Sequence, residues 1–347
     1  MFAINYAENN YNGISIPLHM DGREMEISSS TAFPTIGIVL LGGISDQNRR
    51  IPMHNSAGIA YSDEKQSIRT VTSLYISDRR EGYFNGNMIT PDNSYRSPFR
   101  IIEKYEHSIF DKLGIEKRNR FICFRSENHG ILSGSSDSGA AALGKCIHSI
   151  LGNDLDLEEF ENDLRSVSES VGRSFYGGLT VTETDRKKAF TRTVADWSVF
   201  KDFTIVGCPF PEPRKPSDTI HENIVKSQLY EERVKTAGKR VRKLEDLIRD
   251  GKLEEIFEMA QEDTEDYHSL IESVGVKIIN GSMRSFIEDI KAMQKKFWSS
   301  YIVTGGTNVF VVCHNSDTGK VMDIAGGNDL RPLKLKISSG ARSMENQ

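Results

Sequence analysis

Between about Ser30 and Ser126, short apolar runs alternate with polar turns. TAFPTIGIVLL, AGIAYS, IRTVTSLYIS and RFICF are of strand length and rich in β-branched or aromatic residues. The segment RIIEKYEHSIFDKLG interrupts them with helical spacing, so this stretch predicts a strand-rich half carrying at least one helix. Two more helices are expected next. The first follows the loop ILSGSSDSG and carries Ala140, Ala141 and Ala142. The second has Leu157, Phe160, Leu164, Val167 and Val171 at steps of three and four, with Asp156 placed to cap it. On that helix Glu169 falls nearly opposite the apolar stripe, so periodicity makes it a surface residue paired with Arg165 or Arg173.

Strands GGLTVTET and FTIVGCPF lead to Pro211, Pro213 and Pro216, which predict a boundary or hinge. Long helices are expected at Ser217–Gly251, Leu253–Val274 and Ser282–Trp298, followed by paired strands SSYIVTGG and NVFVVCH and a further strand KLKIS. The pattern is α+β in two lobes. Residues 1–26 read as an extension or an early strand, 27–210 as an N-terminal lobe and 211–347 as a C-terminal lobe; 347 residues suffice for either two domains or one large one.

A net charge of −5 and a pI near 6.0 argue against nucleic-acid binding, which wants a basic surface. The basic run VKTAGKRVRK is followed by the acidic LEEIFEMAQEDTEDYHSLIE, and the two read as solvated helix faces. Cys123, Cys146, Cys208 and Cys313 are widely spaced with no C-x-x-C, so a disulfide framework and a zinc knuckle are not indicated. No apolar run reaches membrane-spanning length and the first twenty residues carry no secretion pattern, so a cytoplasmic location is expected, with no membrane partner.

The chemistry concentrates at Ile131–Gly144. Gly134 permits close backbone approach, Ser133, Ser135 and Ser136 supply hydroxyls, and the following helix aims free N–H groups at the loop. A phosphate chain suits that arrangement, although an ordinary capped helix would use the same residue types. Gly139–Cys146 reads G-x-x-x-x-G-K-C, but cysteine replaces the metal-binding hydroxyl of a Walker A loop and AAAL favours helix. Lys145 is therefore expected inside a helix, on its surface. His54, His129 and His221 lack metal-ligand spacing and receive no catalytic role.

Four segments, STAFPTIGIVLLGG, GSSDSGAAALG, ESVGRSFYGGLT and YIVTGGTNVFVV, resemble in order and separation those of diphosphomevalonate decarboxylases, members of the GHMP kinase superfamily. The resemblance covers about residues 30–330. It implies a two-lobed α+β fold with a ribosomal-protein-S5-like N-terminal lobe and a ferredoxin-like C-terminal lobe. Such decarboxylases carry a lysine in the first strand and an aspartate near the last motif, where this chain has Leu40 and Thr304. Losing that ionised pair removes the family's general base. With RKPSDTIHENIV and AQEDTEDYHS, the pattern resembles more closely the archaeal mevalonate 3-kinases.

That resemblance implies ATP and Mg²⁺ as cofactors, mevalonate as substrate and a homodimer as the assembly. It puts Leu40, Glu169, Arg173 and Thr304 around mevalonate, with Glu169, Arg173 and Thr304 in catalytic roles. Arg214 is added for a carboxylate or for phosphates. Ser133, Gly134, Ser135 and Ser136 would cradle ATP, with Ser136 toward Mg²⁺. Without the resemblance, Leu40 reads as strand core, Thr304 as a turn residue and Arg214 as a linker charge. An ATP-dependent decarboxylase, a kinase of a related hydroxy acid and a nucleotide-binding protein without catalysis remain as alternatives.

Overall fold

The computed structural model describes residues 25–91 and 96–344. Of the extension expected at 1–26, positions 1–24 lie outside the described residues, while Met25 and Glu26 open a strand. In chain order the first half runs β1 (Met25–Ala32), β2 (Thr35–Val39), β3 (Ile44–Asp46), β4 (Ile51–Pro52), β5 (Ser56–Ser62), β6 (Arg69–Ser77), β7 (Gly82–Phe84), β8 (Asn87–Ile89), α1 (Pro98–Leu113), β9 (Phe121–His129), α2 (Ser135–Leu151), α3 (Leu157–Arg165), α4 (Val171–Tyr176), β10 (Leu179–Thr184), β11 (Ala189–Ala195) and β12 (Phe203–Pro209). It continues through α5 (Ser217–Ile224), α6 (Tyr230–Arg249), α7 (Leu253–Ser273), α8 (Gly281–Met293), β13 (Ser299–Val303), β14 (Asn308–His314), α9 (Thr318–Gly327), β15 (Leu333–Ile337) and β16 (Arg342–Ser343).

Among the described residues, β16, β1, β6, β9, β7 and β8 form one sheet in that order, antiparallel except where β7 runs parallel to β9. A second, antiparallel sheet has the order β11, β10, β5, β15, β12, β14, β13, with β2 added to β5. Strands from both sides of the three prolines share it: β12, before them, lies between β15 and β14. The first sheet buries Leu74, Ile76, Ile122 and Phe124 against α1 and α2. The second buries Ile36, Ile59, Val181 and Ile205 beneath Val241 and Leu244 of α6 and Phe257 of α7. Each such side chain contributes about 1.5–3 kcal/mol on leaving water. All four cysteines are buried and free, and no helix among the described residues is long and apolar enough to cross a membrane.

The small residues of α2 serve packing. Ala140, Ala141 and Ala142 are buried, and a Cβ on Gly144 would meet Leu164 Cδ1 at 2.4 Å, so the residue lets α3 close on α2. Lys145 is in the helix, half-buried, and the Walker-like spacing carries no loop. Gly134 caps α2 with φ +77°, and a Cβ there would lie 2.4 Å from Thr35 N. Its glycine identity is therefore demanded by the backbone of β2, a requirement the sequence reading did not contain.

Three helix expectations need correction. The stripe from Leu157 to Val171 is two helices with a turn between them, and Leu157 is exposed. Asp156 caps α3 as expected, accepting from the backbone N–H groups of Glu158 and Glu159. Ser166, Ser168 and Ser170 are poor helix formers, and Arg165 Nη1 takes the Glu169 carbonyl at 2.6 Å. The turn swings Glu169 inward, and neither expected i,i+4 side-chain pair forms. Likewise α5 and α6 are separated at 225–229, where Ser227 Oγ accepts from Leu229 N at 3.3 Å. The last long helix stops at Met293 rather than Trp298.

Substituting Gly134→Ala forces a side chain into the left-handed region against Thr35. It is expected to cost about 1–3 kcal/mol, seen as a lowered Tm in thermal melting of the purified protein.

Candidate active site

The end of β2, the head of α2, the turn before α4, the proline segment and the β13–β14 turn converge on one cavity of about 390 Å³. Leu40, Ser133, Gly134, Ser135, Ser136, Glu169, Arg173, Arg214 and Thr304 all line it. The structure thus brings every sequence-predicted site residue to one place.

The serine loop is fixed from behind. Tyr61 Oη accepts from Leu132 N (3.2 Å) and Ser133 N (2.9 Å) and donates to Ser133 O (2.9 Å), while Asn308 Nδ2 donates to Leu132 O. Ser133 Oγ and Thr304 Oγ1 share a hydrogen bond of 3.0 Å, which ties the loop to the end of β13. Ser136 is exposed in the first turn of α2, whose leading N–H groups have no side-chain cap, leaving the positive end of a 17-residue helix at the cavity. Asp137 is buried beside it and accepts from the hydroxyls of Thr35 and Ser168. Burial pushes its carboxyl above the ordinary range despite the nearby Arg173 charge. Arg214 and Lys215 are exposed at the mouth without ion-pair partners among the described residues, and Arg214 packs over Gly306.

Leu40 to Gly43 leaves the strand ladder, so its peptide groups need other partners. Side chains supply them. Asp263 Oδ2 accepts from Leu40 N at 2.7 Å, and Arg233 donates to Leu40 O. Tyr267 donates to Leu41 O at 3.1 Å and Tyr230 to Gly42 O at 2.6 Å. Gly42 N donates to His54 Nε2 and Gly43 N to His221 Nδ1, each at 3.1 Å. Asp263, 0% exposed, is itself held by Arg233 Nη1 at 2.5 Å and Arg240 Nη1 at 2.9 Å. His54 is kept neutral, its pKa lowered to about 3 first by burial and then by the Arg233 charge.

Two charged side chains form the deep wall. Arg173 crosses β2 and β5 where both strands carry glycine: a Cβ on Gly58 would lie 2.5 Å from Arg173 Cδ, and one on Gly37 3.5 Å from Nη1. Its Nη2 donates to Ser56 Oγ at 2.9 Å, and its buried Nε has no partner among the described residues. Glu169, 8% exposed, meets Arg50 Nε at 2.9 Å through one oxygen and His221 Nε2 at 3.0 Å through the other. Burial alone would raise its pKa; the His221 hydrogen bond and the Arg50 and Arg96 guanidinium charges outweigh it and hold the carboxyl well below the usual range. Asp218 pairs with Arg50 (2.7 Å) and Arg96 (2.8 Å).

Sequence reasoning missed Asp137, Arg50, His221, Asp263 and Tyr267 as parts of this site. His221 was given no role because only metal-ligand spacing was sought, yet it lines the cavity and bonds Glu169. A signal existed for four of the supporting groups: Asp218 and His221 lie in RKPSDTIHENIV, Asp263 and Tyr267 in AQEDTEDYHS. Nothing in the sequence marked Arg50. No cluster of His, Cys, Asp or Glu suited to a metal occurs among the described residues.

Residues 32–193 match the diphosphomevalonate decarboxylase-like N-terminal domain, and residues 215–319 the mevalonate-3-kinase C-terminal domain. The mevalonate-3-kinase of Picrophilus torridus is 48% identical over 299 residues, covering 86% of this chain and 91% of that protein. The mevalonate 3-kinase of Thermoplasma acidophilum is 43% identical over 312 residues, covering 90% and 96%. A crystal structure of the Thermoplasma acidophilum mevalonate-3-kinase with mevalonate 3-phosphate and ADP bound aligns with a TM-score of 0.86 at 40% identity, over 94% of this chain and 99% of that one. The fold is the α+β fold of the GHMP kinases, with a cavity between a phosphate-suited loop and a buried Glu–Arg wall. Within that class, the chain belongs to the mevalonate-3-kinase family.

Two outcomes are expected. Asp263→Ala leaves Arg233 buried without its carboxylate and frees Leu40 N, costing about 3–5 kcal/mol by chemical denaturation. Because the folded-state pKa of Glu169 is depressed, its ionic partnership stabilises the fold above the unfolded-state value of about 4.3 and is lost as pH falls through the folded value. The Tm gap between the wild type and Glu169→Gln should therefore be widest near neutrality and shrink as pH is lowered below about 4.

Proposed function

We propose that the protein transfers the γ-phosphoryl group of ATP to the tertiary 3-hydroxyl of mevalonate and releases mevalonate 3-phosphate with the carboxylate retained. The observation that carries this reading is the pairing of a charged Glu169–Arg173 wall with uncharged Leu40 and Thr304 in the same cavity. Family membership supports it, and the relatives' names supply the acceptor hydroxyl.

In this reading Ser133, Gly134, Ser135 and Ser136 receive the nucleotide phosphates at the head of α2, with Arg214 and Lys215 neutralising charge at the mouth. The exposed Ser136 hydroxyl fits a Mg²⁺ that arrives on those phosphates, since Mg²⁺ keeps several waters and needs one or two protein ligands. Held there, the ion would offset the negative charge of the phosphates. Arg173 donates to the substrate carboxylate, and ionised Glu169 accepts from a substrate hydroxyl. Thr304, held by Ser133, places the end of β13 against the acceptor carbon. The P–O bond to ADP breaks as the bond to the 3-oxygen forms, and the proton of the 3-hydroxyl leaves to solvent. A loose transition state makes positioning the main contribution, so a strong base is dispensable. Holding the carboxylate on Arg173 stabilises the ground state against loss of carbon dioxide. The reading includes an ATP-binding lobe at 27–210, a C-terminal lobe at 211–347, a homodimeric assembly and a cytoplasmic location.

The test is product identification after incubation with Mg²⁺-ATP and mevalonate. The 3-carbon bears no hydrogen, so the expected ester gives a ³¹P signal without three-bond proton coupling. A triplet from an adjacent CH₂ would place the phosphate on the 5-oxygen and overturn the proposal.

A further inference from the structure

We infer that His221 is a positioning residue, tying Glu169 to the Gly43 peptide and thereby setting the direction in which that carboxylate meets the substrate hydroxyl. The inference rests on reading the cavity as the mevalonate site.

The tautomer follows from the partners. Gly43 N–H can only donate, and it lies 3.1 Å from His221 Nδ1, so Nδ1 presents a lone pair. The single proton of the neutral ring is then on Nε2, 3.0 Å from Glu169 Oε1. The ring is 5% exposed, which keeps water from competing for either bond. The other Glu169 oxygen is occupied by Arg50 Nε, and Arg50 in turn bonds Asp218. Asp218 and His221 are three residues apart on α5, hence on one face of that helix. Each oxygen of Glu169 has thus one fixed donor connected to α5, directly through His221 or through Arg50 and Asp218, and retains capacity to accept one more hydrogen bond.

His54 supplies the contrast. It holds the neighbouring Gly42 N–H in the same way, but its other nitrogen ends on the backbone carbonyl of Asn55 at 2.7 Å. His54 therefore connects backbone to backbone, whereas His221 connects backbone to a charged wall of the cavity. The opposite tautomer at 221 would place a lone pair against Glu169 and an N–H against Gly43 N–H, losing both bonds.

The experiment compares the wild type with His221→Gln, His221→Asn and His221→Ala. The glutamine amide reaches the position of Nε2, whereas the asparagine amide reaches only that of Nδ1. Asn and Ala variants are expected to lose about 10- to 100-fold in kcat with the KM for ATP within about twofold, and Gln to stay within about threefold of the wild type. Wild-type kcat in His221→Ala, or equal loss in the Gln and Ala variants, overturns the inference. An independent readout is ¹⁵N NMR of the histidine rings in the full chain: the Nε2–H tautomer is expected at His221, with a resonance that moves in Glu169→Gln. An Nδ1–H tautomer, or no response to Glu169→Gln, contradicts it. If the wild type turns over no mevalonate, the functional reading fails, and the NMR result still decides whether the tie to Glu169 exists.

Discussion

Arg233 and Asp263 form a buried ion pair beneath the end of β2, and the cavity is arranged around it. Together they take both the N–H and the C=O of Leu40. An ion pair so deeply buried gains little net stability over an apolar replacement. Here it performs a task that an apolar pair could not, because the Leu40–Gly43 segment has left its sheet and its peptide groups would otherwise be unsatisfied. Tyr267, Tyr230, His54 and His221 extend the same solution through Gly43, so this wall of the cavity is set by α5, α6, α7 and the segment before β5. Leu40 can then present an uncharged side chain to the cavity while the charges that position it remain behind.

That separation bears on the chemistry. A lysine at position 40 and an aspartate at position 304 would put a base and a strong field into the cavity. Leucine and threonine leave Glu169 and Arg173 as the charged groups of the deep wall. Glu169 stays ionised because His221 and two guanidinium groups outweigh the cost of its burial. Arg173 is admitted because Gly58 vacates its path across β5, where a Cβ would lie 2.5 Å from Cδ. The result favours binding and alignment over proton abstraction, as phosphoryl transfer requires.

Much of this was legible in the sequence. The apolar runs marked β2, β5, β6, β9, β12, β13, β14 and β15, since buried strands need continuous hydrophobic stretches. Motif order gathered Leu40, Ser133, Glu169, Arg173 and Thr304, which are far apart in the chain and meet in one cavity. Periodicity failed at Glu169: the rule assumes an unbroken helix, and the serines at 166, 168 and 170 break it. The steric demand on Gly134 was not legible because it comes from the backbone of Thr35, a contact 99 positions away that no local pattern contains. Arg50 was illegible for a similar reason: a buried charge is recognised by its partners, and Glu169 and Asp218 lie on other elements.

The most direct test of the account follows the carboxyl carbon. With mevalonate labelled with ¹⁴C at that carbon and excess Mg²⁺-ATP, the account predicts that the label remains in a soluble phosphate ester while ADP accumulates in equal amount. Label released as carbon dioxide in step with ADP would contradict it, because it would mean that a cavity without the charged pair at positions 40 and 304 still drives decarboxylation.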